Sequence, residues 1–148
     1  NVLTERGVRY DVQEAVLVDV DFVAGVPVRA AYVERLLASD DADALVQSFV
    51  RVGNIARMTE TGIVDPALFQ AAEEGALHSA YERAVAARAT GADTLAAEQA
   101  LARAIDAFFD AVMVMDKDTH IKNNRLTLLK VIDNYLLWTA DYSKIVLN

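Results

Sequence analysis

Only two prolines and six glycines interrupt this chain of 148 residues, and neither type is clustered, while alanine, leucine and glutamate recur throughout. So few breakers among so many good helix formers restrict the chain to helices. Apolar spacing says the same. From Asp11 to Asp19, Val12, Ala15, Val16 and Val20 fall at helical intervals. Gly25-Val26-Pro27 then interrupts, and Pro27 suits the first turn of a second helix running through Tyr32, Leu36 and Leu37. Ser39 and the acidic group Asp40, Asp41 and Asp43 mark the start of a third, whose stripe is Leu45, Phe49, Val52 and Ala56. Asp65-Pro66 pairs a capping residue with a proline at the first helical position, and predicts a helix from there to about Gly91. A fifth helix starts near Asp93-Thr94 and buries Leu101, Ile105, Phe108 and Val112. A sixth starts near Asp118 and buries Leu126, Leu129, Ile132, Leu136 and Ala140. Valine-rich patches at 16–20 and 112–114 invite strands, but no period-two alternation bounded by hairpin turns accompanies them. The expected fold is an all-α bundle of about six helices forming a single domain over residues 1–148.

Hydrophobic residues make up 54% of the chain, with mean hydropathy +0.20, yet no run approaches the roughly 18 apolar residues of a membrane span. A soluble domain is expected, with no membrane role. There is no cysteine, which removes disulfides, thiolate metal sites and cysteine nucleophiles. The first residue is Asn1 and the first methionine Met58, so a longer polypeptide is expected around the segment, and no secretory signal pattern is present. The net charge of −8 opposes broad adhesion to nucleic acid. Its distribution is uneven: residues 101–148 carry six basic and six acidic groups, so contact with RNA is expected there or on a local basic stripe.

Stand-alone catalysis finds little material. His78 and His120 are far apart, and neither has a second histidine one turn away. Asp116-Lys117-Asp118 begins like a calcium loop, but that loop's sixth and twelfth positions need glycine and a carboxylate, and here hold Ile121 and Thr127. Adjacent Glu73 and Glu74 point about 100° apart on a helix and read as a solvated face. The glycines form no phosphate loop, and no serine occupies a nucleophile elbow.

Three ordered segments are more specific. They are Tyr10 to Leu17 preceded by Gly7-Val8-Arg9; Arg51-Val52-Gly53-Asn54-Ile55; and Phe108 to Met115, followed by Asn124 to Leu129 and by Ala140-Asp141-Tyr142-Ser143. Together they resemble the C-terminal region of bacterial-type glycyl-tRNA synthetase beta subunits, an anticodon-binding domain of the helical DALR-like group. The resemblance implies a non-catalytic tRNA-recognition domain of a class II ligase that joins glycine to its tRNA. It implies ATP and magnesium in the holoenzyme and no cofactor in this domain. The implied partners are glycine tRNA, the remainder of the beta subunit and the alpha subunit, as a heterotetramer or one fused chain, in the cytoplasm and without DNA. An arginyl-type anticodon domain and a helical protein-interaction module are the alternatives.

Phe108, Val112, Met113 and Met115 read as core, and Phe109 likewise. Arg51, Asn54 and Arg57 lie three residues apart along one helix edge, and Asn124-Arg125 open the last helix; these five serve either RNA contact or structural hydrogen bonds. Glycine anticodons end in two cytosines, whose pairing edge offers an N4 donor beside N3 and O2 acceptors, so a reader needs a donor such as Arg or Asn next to an acceptor. Lys117, Asn123, Asn124 and Arg125, with Asp116 and Asp118 nearby, supply both kinds. The expected reading face therefore comprises 51–57 and 117–125.

Overall fold

The computed structural model describes residues 11–12, 26–91 and 93–145. Five α-helices run through them: α1 Val26–Leu37, α2 Ala42–Ala56, α3 Ala72–Ala89, α4 Leu95–Ala111 and α5 Thr119–Thr139. Short 3-10 turns occupy Pro66–Leu68 and Tyr142–Lys144, and no strand occurs among the described residues. The valine-rich stretch 112–114 is an irregular connection. Of the helix expected from Asp11, only Asp11 and Val12 are described, both helical, with Val12 buried; its remainder lies outside the described residues.

The chain divides into two compact units. The first comprises residues 1–50 and 134–148. Its core gathers Ala30, Val33 and Leu36 of α1, Leu45, Val46 and Phe49 of α2, and Tyr135, Leu136, Ala140, Tyr142 and Ile145. Phe49 and Tyr142 meet with ring centroids 5.1 Å apart. Asp141 caps the final 3-10 turn, accepting from the Ser143 N–H at 3.1 Å and the Ser143 hydroxyl at 2.6 Å. The buried Arg29 donates to the Trp138 carbonyl at 2.8 Å, satisfying one of the carbonyls left open at the end of α5.

The second unit spans residues 51–133. α3 and α4 pack against each other across a short connection. Gly91, at φ +73°, supplies the left-handed step that ends α3, in the position where glycine avoids a Cβ clash. Leu77, Ala80 and Ala84 of α3 are buried, as are Leu101, Ala102, Ile105 and Phe108 of α4 and Ile121, Leu128, Leu129 and Ile132 of α5. Leu126 is only half-buried, at the rim of a shallow depression.

The cap predicted at Asp65 is present, with its carboxylate accepting from the Ala67 N–H at 3.0 Å. What it opens differs from expectation. Pro66 begins a single 3-10 turn that ends at Leu68, and the long helix starts only at Ala72. Glu74 explains the later start: its Oε1 accepts from the N–H groups of both Gln70 and Ala71 at 3.1 Å, fixing the helix N-terminus there.

Candidate nucleic-acid interface

Arg51 and Asn54 follow one edge of α2 and Arg57 stands in the turn just past its end; all three are exposed. Their partners differ. Arg57 grips Asp133 of α5 with two bonds, Nε to Oδ2 at 2.8 Å and Nη2 to Oδ1 at 3.2 Å. The Arg57 side chain is 41% exposed and that of Asp133 only 3%, so the pair closes from the solvent side. Gly53 makes room for it: a Cβ there would stand 2.6 Å from Arg57 Nη2 and 3.2 Å from Asp133 Oδ1. Arg51 forms no hydrogen bond or ion pair among the described residues; its guanidinium carbon lies over the Phe109 ring, 4.1 Å from the centroid. Phe109, half-buried, meets the fully buried Phe108 edge to face at 5.5 Å. Asn54 has no side-chain partner among the described residues.

At the start of α5 two residues of the expected reading face make structural hydrogen bonds. Asn124 and Arg125 are buried and occupied by the protein itself. Asn124 pairs with the backbone of Asp65 in both directions: its Oδ1 accepts from the Asp65 N–H at 2.8 Å, and its Nδ2 donates to the Asp65 carbonyl at 3.0 Å. Arg125 is 5% exposed. It donates from Nη1 to the Met113 carbonyl at 2.7 Å and to Asp116 at 3.4 Å, and from Nη2 to Glu74 at 3.0 Å. Neighbouring residues on a helix diverge by about 100°, which lets this pair reach two different connections. Asn124 holds the one before α3, and Arg125 holds the one between α4 and α5. In these positions the two side chains present no free edge to a base.

Glu74 is the partner that sequence reading missed. Far from lying on a solvated face, it is 1% exposed. Burial alone would push its carboxyl pKa up, but hydrogen bonds from Arg125 and from the Ala71 and Gln70 N–H groups, with the Arg125 charge, outweigh that and hold it below the ordinary value. Glu73, by contrast, remains partly open to solvent.

With Arg125 fixing the 112–118 connection, Met113, Met115 and Lys117 turn outward from it. Met113 and Met115 are 73% and 64% exposed, against the core role expected of them, because α4 ends at Ala111 and helical spacing no longer applies beyond it. Val112 and Phe108 are buried as expected. Lys117 is exposed with no partner among the described residues. Asp118 caps α5, accepting from the His120 N–H at 2.9 Å and the Ile121 N–H at 3.4 Å, while Asp116 accepts from the Asp118 N–H. Asn123 is exposed and unpaired among the described residues; with Leu126 and Thr127 it faces Thr59 to Gly62 across a depression of about 360 Å³. Met58 and Ile63, on the same connection, are almost fully exposed.

His78 packs against Phe69 and Tyr81 and lies 3.5 Å from Glu82. Among the described residues, no three His, Asp or Glu side chains converge as a metal site, and no helix is long and apolar enough to cross a membrane.

The seven residues expected to meet RNA thus separate into two sets. Arg57, Asn124 and Arg125 are engaged internally, whereas Arg51, Asn54, Lys117 and Asn123 present polar groups with no hydrogen-bond partner among the described residues. No protein-family model matches the chain. Known proteins do. The chain is 33% identical over 157 residues to the glycine–tRNA ligase beta subunit of Clostridioides difficile. It is 37% identical over 151 residues to that of Geobacter metallireducens, and 39% over 155 residues to that of Desulfatibacillum aliphaticivorans. These matches cover 98–99% of this chain but 22% of each relative, so the chain spans about a fifth of their length. Across nearly every residue it has, this chain belongs to the family of glycine–tRNA ligase beta subunits.

Proposed function

We propose that this chain is the tRNA-recognition part of a glycine–tRNA ligase and that it reads unpaired anticodon bases. The observation that carries the reading is kinship to beta subunits along 98–99% of the chain. The names of those relatives favour glycine over an arginyl-type parent. Local geometry supports an RNA role, because Arg51, Asn54, Lys117 and Asn123 are exposed and keep hydrogen-bonding groups unspent among the described residues. A net charge of −8 suits recognition through a few directional groups more than through phosphate neutralisation. Arg57, Asn124 and Arg125 support those groups by fixing the backbone on which they sit.

In this reading the segment lies in the C-terminal part of the beta subunit and forms no bond itself. The alpha subunit activates glycine with ATP and magnesium, and the rest of the beta subunit joins the two functions, either as a heterotetramer or within one fused chain. The whole is a class II synthetase of the cytoplasm.

The test is a titration of the ligase carrying this segment with glycine tRNA and with the same tRNA bearing a replaced anticodon. Binding is expected to weaken about tenfold or more for the replacement, the scale of one or two lost base contacts. Equal affinities would overturn the reading and favour a protein-interaction module, to which the exposed Met58, Ile63, Met113 and Met115 would lend apolar surface.

A further inference from the structure

Arg51 combines two properties that no other residue of the expected reading face shares: it is held in place, and its hydrogen-bond donors are free among the described residues. Arg57 is held by using Nε and Nη2 on Asp133. Arg125 is held by bonds from both terminal nitrogens. Lys117, Asn54 and Asn123 have no side-chain hydrogen bond, ion pair or ring contact among the described residues. Arg51 instead rests on Phe109, its guanidinium carbon 4.1 Å from the ring centroid, and Phe109 leans in turn on the buried Phe108. The N–H donors of a guanidinium lie in its own plane, and those of Arg51 make no hydrogen bond among the described residues. Such a fork matches a pair of adjacent acceptors. Asn54, one turn along the same exposed edge, adds an amide carbonyl that accepts. A donor fork beside an acceptor is complementary to the pairing edge of cytosine, with its N3 and O2 acceptors and N4 donor.

We propose that Arg51 and Asn54 form a site for one unpaired cytosine of the tRNA, with Phe109 as the positioning residue that holds the Arg51 fork. The proposal rests on the tRNA reading above and names its specificity. Freezing the fork before binding spares the ordering of a long side chain, which favours discrimination by edge over adhesion by charge.

The test uses the ligase that carries this segment, with glycine tRNA and with transcripts in which uracil replaces each of the two final anticodon cytosines in turn. Uracil keeps O2 but reverses the donor and acceptor at the other two positions. One replacement is expected to cost the unaltered enzyme about tenfold or more in affinity. Arg51→Lys keeps the charge and loses the fork, so most of the preference at that one position should vanish. Asn54→Ala should erode the preference at the same position, and Phe109→Leu should reduce it with little change in thermal stability. Phe109→Trp, which restores an aromatic face, should retain it. Wild-type affinity and wild-type preference in both Arg51→Lys and Phe109→Leu would overturn the proposal. So would an Arg51→Lys loss equal for cytosine and uracil, which makes Arg51 a phosphate contact. Indifference of the unaltered enzyme to a wholly replaced anticodon removes the tRNA reading and this site together, whereas retained anticodon dependence with unaffected variants removes this site alone.

Discussion

Glu74 Oε1 collects three N–H donors at 3.0–3.1 Å, from Gln70, Ala71 and Arg125, and this concentration makes a charge tolerable at a buried point. Replacing Arg125 by Met would leave that charge buried without its counter-ion. The expected loss is about 3–5 kcal/mol, read as a lowered thermal midpoint. The pH dependence has a defined sign. Because the folded-state pKa lies below the ordinary 4.5, ionised Glu74 contributes stability at pH values above 4.5, and the contribution is lost as the pH falls through the lowered folded value. Glu74→Gln should therefore flatten the acid limb of a stability–pH curve while lowering stability near neutrality. Gly53 poses a smaller contest. Alanine there gains about 1 kcal/mol of helix propensity, but its Cβ displaces Arg57 from the 3%-exposed Asp133, so Gly53→Ala should be net destabilising by about 1 kcal/mol or more in denaturant melts. Neither device was legible in the sequence. Glu74 and Arg125 are 51 positions apart, and a local pattern that puts one glutamate on a helix surface does not say which distant cation will cover it.

Elements, by contrast, were largely legible, since their cause is local. The stripes Leu45, Phe49, Val52, Ala56 and Leu101, Ile105, Phe108 are buried as the helical period requires. The misreadings came where the period stopped. Met113 and Met115 looked like a continuation of the α4 stripe and lie outside, and Asp65-Pro66 carries every mark of a helix start yet opens one 3-10 turn. Asn124 and Arg125 carry a related ambiguity: Asn and Arg at a helix start look alike whether they face solvent or tie down a loop, and here both are buried on internal partners. Asn124→Ala should remove both bonds to Asp65 and release that connection, seen as faster hydrogen exchange at the Asp65 amide with α5 still protected.

For the molecule as a whole, the proposed RNA reading by an acidic chain predicts a weak dependence on salt from this segment. Lys117, on the 112–118 connection, has no partner among the described residues, and if it meets a phosphate, Lys117→Ala should reduce the slope of log affinity against log salt by about 0.7 in affinity titrations. An unchanged slope would place Lys117 away from the backbone of the bound tRNA. Two surface connections also share a single origin in the first turns of α5. A one-residue insertion just after Arg125 would swing it and Asn124 about 100° around the helix relative to the buried Leu128, Leu129 and Ile132. Both connections would then lose their anchors in one event, the helix itself continuing undisturbed. Length changes in this family should therefore be better tolerated within the loops than at that turn.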